Sequence, residues 1–134
     1  MEKALFNILS NTSGVTDLVS TRIYPERADQ QEVNPYITYG RVSTSPQDTK
    51  TGFVVASGVS KLDEVIADVD SWHKNEIDAK AIALAVRTAL DRKAAGTYGG
   101  ETLDSIQYTG ERTFFDDEAR MYRHSQEFKF RMKP

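Results

Sequence analysis

Cysteine is absent from this chain of 134 residues. That excludes disulfides and thiolate metal sites, and it is compatible with a reducing compartment. Histidine is scarce: His73 and His124 are the only two, and no HExxH-like spacing joins them into a metal site. No apolar run approaches the ~18 residues that a membrane-spanning helix needs. The opening residues, Met1 to Asn7, lack the apolar stretch of a secretory signal, so the cytoplasm is the expected place of synthesis. Positive charge is not in excess either. Seventeen Lys and Arg stand against 20 Asp and Glu, a net charge of −3. A dedicated DNA-binding protein draws its affinity from dense Lys and Arg, and this balance argues against one. GxSxG, Walker and GxGxxG motifs are all missing.

What is present fits one compact domain over residues 1–134. Hydrophobic residues make up 39% and charged residues 28%, the mixture of an ordinary globule. Ala4, Leu5, Ile8 and Leu9 have helical spacing over about 2–10, and Asn11 to Gly14 interrupt it. Val15, Leu18 and Val19 add one short turn. Tyr36 to Val42 is rich in β-branched and aromatic residues and opens just after Pro35, where a missing N–H does least harm. Residues 43–60 hold Pro46, Gly52, Gly58 and many Ser and Thr, and are expected to form a long flexible loop. Leu62 to Trp72 alternates, with Val65, Ala67 and Val69 on one side and Glu64, Asp68 and Asp70 on the other. Asn75 is placed to cap a helix reaching about Arg92, which Gly96, Gly99 and Gly100 end. Thr102 to Arg112 reads as a weaker strand and 114–118 as a turn. Met121 to Met132 is the clearest strand, with Tyr122, His124, Gln126, Phe128, Phe130 and Met132 on one face. The expected fold is α+β: a four-stranded, mostly antiparallel sheet with two helices on one face.

Three groups of residues invite chemical readings. Asp116, Asp117 and Glu118 cluster as a catalytic acid pair would, but two carboxylates work in catalysis only when their surroundings push their pKa values apart. Nothing near them in sequence suggests a closed apolar pocket, and an acidic turn is the preferred reading; a small hydrolase stays as an alternative. Arg123, Lys129, Arg131 and Lys133 lie along the last strand and could bind nucleic acid. Glu127 interrupts them and no aromatic platform accompanies them, so a solvated face is preferred and the nucleic-acid module is kept as the second alternative. His124, on the apolar face of its strand, reads as a satisfied core or edge histidine, and His73 as exposed. No cofactor, metal or catalytic residue is assigned.

Two features point instead to company. At 100° per residue the helix from Ile77 to Asp91 carries two apolar stripes. Ala79, Ile82, Ala83, Val86, Ala89 and Leu90 form one; Ile77, Ala81, Leu84 and Ala85 form another, nearly opposite. A single stripe suffices to pack on a sheet, so the second needs either the first helix or a neighbouring molecule to cover it. The long loop carries its own apolar cluster, Phe53-Val54-Val55, which could order against a partner.

Three segments together carry a resemblance. Arg22-Ile23-Tyr24-Pro25 follows a short N-terminal helix, Asn34-Pro35-Tyr36-Ile37-Thr38-Tyr39 opens a strand, and Val69-Asp70-Ser71-Trp72 precedes an Ala-rich helix ending Ala89-Leu90. In order and spacing the chain resembles the tail-completion, or tail-terminator, proteins of long-tailed (siphovirus-type) bacteriophages. The resemblance implies a structural virion protein with no catalytic residues. It also implies a homo-oligomeric ring of six subunits at the head-proximal end of the tail. Such a ring caps the tail tube protein, stops tail growth and offers a joining surface to the head connector or stopper protein. DNA would pass through it without specific binding, which suits a mildly acidic chain, and no membrane is involved. Weak self-association is expected before assembly.

Overall fold

The computed structural model describes residues 1–28, 32–46 and 62–134. Three helices and six strands follow in the order α1 (Glu2–Ser10), α2 (Ser13–Val19), β1 (Ile23–Pro25), β2 (Tyr36–Pro46), β3 (Asp63–His73), α3 (Glu76–Leu90), β4 (Gly96–Tyr98), β5 (Glu101–Asp116) and β6 (Met121–Met132). The strands form one sheet in the spatial order β1-β2-β3-β6-β5-β4. β1 runs parallel to β2, and every other neighbouring pair is antiparallel.

The alternation read in β3 and β6 is what builds the core. Val65, Ala67 and Val69 stand opposite Phe130, Phe128 and Gln126 in register, and all six are buried. The helices cover this face. Ala4, Leu5, Ile8 and Leu9 of α1, Val15 and Val19 of α2, and the first stripe of α3 are buried. α1 has no side-chain cap of its own; the Glu101 carboxylate of β5 accepts from the Ala4 amide at 2.8 Å and from the Met1 ammonium at 2.8 Å. Arg41 of β2 holds Glu2 at 2.8 Å, and that hydrogen bond lowers the Glu2 carboxyl to about 2.

The α+β class stands, and the details differ from expectation in several places. The sheet has six strands, not four, because two three-residue strands extend it. Neither β1 nor β4 is long enough to show a period of two, so neither is visible to a pattern argument. The glycines expected to end α3 instead make a hairpin: Gly99 (φ 58°) and Gly100 (φ 83°) form the two-residue turn between β4 and β5, a backbone that glycine adopts without strain. A Cβ at Gly99 would lie 2.5 Å from the Lys3 carbonyl oxygen, so the turn is also a seat for α1. The short turn after α1 is a third helix, α2. Finally, β2 runs on through 43–46, taking those residues out of the expected loop; the remainder of that loop, 47–60, lies outside the described residues.

The weak pattern of β5 has a cause. Its register against β6 shifts between Leu103 and Ser105 and again between Tyr108 and Gly110. Each bulge resets which side chains face inward, so Leu103 and Ile106 are both buried although three residues apart. The strand spans 101–116, and the turn expected at 114–118 lies instead at 117–120.

Candidate assembly surface

α3 forms because its start, middle and end each favour a helix. The Asn75 side chain accepts from the Ile77 amide at 2.9 Å, Glu76 and Asp78 occupy the positive end of the dipole, and Arg87 lies in the last turn. Lys80 pairs with Glu76 at 3.1 Å across one turn. Two contacts fix its rotation on the sheet. Gln126 of β6 donates to the Ala83 carbonyl at 2.9 Å, and the Arg87 guanidinium lies 3.9 Å above the Tyr108 ring.

That rotation decides the second stripe. The residues of the first stripe are all buried. On the other side Ile77 is 77% exposed and Leu84 65% exposed, and Ala81 is exposed as well. Ala85 is partly buried and packs against the chain's own core. α1 buries Ala4, Leu5, Ile8 and Leu9 in the core and leaves Ile77, Ala81 and Leu84 bare. The structure therefore brings together three of the seven candidate contact residues as one exposed face, with Ala85 at its rim. Phe53, Val54 and Val55 lie outside the described residues.

The other candidate groups find local explanations. His124 is buried; its Nδ1 lies 2.6 Å from the Thr113 hydroxyl and its Nε2 meets the Glu111 carboxylate. Its hydrogen bond holds the Glu111 carboxyl below the usual range. His73 is half-buried within β3 rather than exposed, and its Nδ1 accepts from the Asn75 amide at 2.9 Å. Asp116 accepts from the Ala119 amide at 2.9 Å and closes the turn before β6, while Asp117 and Glu118 are exposed. Lys129 lies 3.5 Å from Glu64, and Arg123 reaches Asp70 at 2.8 Å, so part of the basic strip is neutralised within the sheet. Among the described residues no three His, Asp or Glu side chains are grouped to hold a metal ion.

Sequence reasoning missed the order on the sheet's helix-free face. Tyr36, Trp72, Arg123 and Phe114 occupy directly opposed positions on β2, β3, β6 and β5. Tyr36 and Trp72 stack with centroids 5.4 Å apart, and Arg123 lies 5.3 Å from Trp72 and 4.9 Å from Phe114. The row is invisible in sequence because its members come from four strands. On the same face Asp68 stands directly opposite Glu127, with Gly40 and Gly110 as the outer neighbours. Burial, then Asp70 and Glu127, push the Asp68 carboxyl above its ordinary value. A carboxyl raised on folding costs stability once ionised: the cost grows as pH rises from the unfolded toward the folded pKa and is complete above it. Asp68→Asn is therefore expected to raise stability at pH 7 by about 0.5 kcal/mol, the scale of one like-charge cross-strand pair. In thermal melts the gain should vanish in acid, where the carboxyl is neutral in both states.

Comparison with known proteins decides what kind of protein carries this face. Residues 3–133 match the family model described as tail completion protein gp17. The chain belongs to that family. It is a structural protein of the phage-type tail, with its place in the virion, and it is not an enzyme. The hydrolase reading of Asp116, Asp117 and Glu118 therefore falls. A chain from a structure titled "Virion of native gene transfer agent (GTA) particle" shares the fold of this tail completion protein at a TM-score of 0.73, with 20% identity over 98% of this chain and 92% of that one. A second solved chain aligns at a TM-score of 0.56 with 8% identity, covering 93% of this chain and 90% of the other. A search of the curated proteins finds no match.

Proposed function

We propose that this tail completion protein is a single-domain subunit of a ring, six copies in number, that caps the tail tube, ends its growth and presents a joining surface to the head connector. DNA passes through the ring unbound, and the ring sits at the head-proximal end of the tail. The observation that carries the reading is the bare outer face of α3. Ile77 and Leu84 are the two most exposed large apolar side chains among the described residues, and Ala81 leaves room between them for a neighbour to approach. A ring requires that one surface meet a different surface on the next copy, and this face, with Ala85 at its rim, supplies the first. Phe53, Val54 and Val55 join it on their sequence character.

The face is small, which sets the expected affinity. Burying two aliphatic side chains contributes on the order of 2 kcal/mol each, against an association cost of several kcal/mol or more. The isolated protein is expected to be mainly monomeric at micromolar concentration in analytical ultracentrifugation, and to form rings where the end of the tube adds contacts. A tight hexamer of the protein alone would contradict this. Deleting the gene tests the role itself: tails of abnormal length or heads without tails are expected in electron micrographs. Tails of normal length joined to heads would overturn it.

A further inference from the structure

The sheet has two half-bare edges on opposite sides. β1 covers β2 only at Ile37–Tyr39, so from Gly40 to Pro46 the outer edge of β2 has no strand partner among the described residues. On the other side β4 covers β5 only at Glu101–Leu103. The loop after α3 covers the next part: the Arg92 amide donates to the Ile106 carbonyl at 3.0 Å, and Asp91 accepts from the Tyr108 amide at 3.0 Å. From Thr109 to Asp116 the outer edge of β5 is bare in the same sense. Unpaired edges template strand addition, and each of these carries an exposed large apolar residue, Val42 on β2 and Phe115 on β5.

The two edges fit one another. Their bare stretches are of similar length. β2 runs antiparallel to β3, β3 to β6 and β6 to β5, so β2 and β5 point in opposite directions and a copy placed alongside would add an antiparallel strand. The stretches are offset along the strands. Ser43, at the middle of one, is level with Gln107 through Ile66 and Lys129, about five residues from the middle of the other. At ~3.3 Å per residue the offset is about 17 Å, gained over four strands ~4.8 Å apart. That slope, about 40°, is the strand tilt a closed barrel requires.

We propose that the bare edge of β5 in one copy pairs with the bare edge of β2 in the next, joining the sheets of successive copies into one closed barrel. The occupant of each edge is thus a second copy of this chain. The inference rests on the ring reading above and names its backbone contact, separate from the α3 face.

Because the chain has no cysteine, two introduced thiols report on the contact alone. Ser43 and Arg112 are both exposed, one on each bare stretch. Assembled particles carrying S43C and R112C together would be treated with a bismaleimide spanning about 10 Å, three residues of strand, after melting curves confirm that the variant folds. A ladder of cross-linked multimers ending at a closed ring is expected on a denaturing gel, with monomer alone from each single variant. Dimers from a single variant would mean that like edges pair, and would overturn the proposal. Rings visible in micrographs but without cross-links would overturn the edge pairing and leave the ring standing. The absence of any ring would overturn both.

Discussion

Leu84→Asp should leave the monomer folded and abolish rings. Leu84 is 65% exposed on a mid-helix position, so the change costs the fold only the few tenths of a kcal/mol by which aspartate is the poorer helix former. At an apolar contact the same carboxylate has to be desolvated without a partner, at a cost of about 3 kcal/mol or more. That corresponds to a loss of at least about 10²-fold at every interface, and a ring repeats the interface at each copy. Val86→Asp, two residues on but in the buried stripe, should instead prevent folding. Circular dichroism separates the two variants, and electron microscopy of particles reads the assembly. Normal rings with Leu84→Asp would remove the outer face of α3 from the interface.

The second large effect is on stability. Arg123→Ala is expected to cost about 3 kcal/mol, the lower end for breaking a buried ion pair, because the arginine side chain stays about one-third exposed. Its Nε and Nη2 both reach the Asp70 Oδ2, at 3.0 and 2.8 Å, while Oδ1 of the same carboxylate is buried with no hydrogen-bond partner among the described residues. Removing the guanidinium strands that charge and also opens a gap between Trp72 and Phe114. For a chain of this length the loss is a fall in melting temperature of roughly 10 °C. Asp70→Leu combined with Arg123→Met should recover much of it, since the cost lies in the orphaned charge more than in the lost attraction. If the single variant melts within a degree or two of the parent, the row across the sheet is decorative.

Both effects come from surfaces of different legibility. The α3 stripes were readable because a helix imposes 100° per residue on its own sequence, so a fifteen-residue segment states which side chains share a face. The Arg123 row was not readable, because opposed positions on different strands depend on register, and register is set by pairing and bulges. His73 shows the same limit on a smaller scale. Its neighbours suggested exposure, but the entry of α3 folds back and puts the Asn75 amide on its ring.

By itself the sequence determined the elements long enough to repeat their own period: α1, α3, β3 and β6, the burial of Phe128 and Phe130, and the existence of a second apolar stripe on α3. Local physics suffices there, since the alternation or the helical spacing recurs several times within one segment. Only the tertiary structure decided that β1 and β4 exist, that bulges redirect β5, that α1 leaves Ile77 and Leu84 uncovered, and where the sheet edges end. Each of these depends on which distant segment reaches the place first, and pairing between segments leaves no periodic trace in either of them.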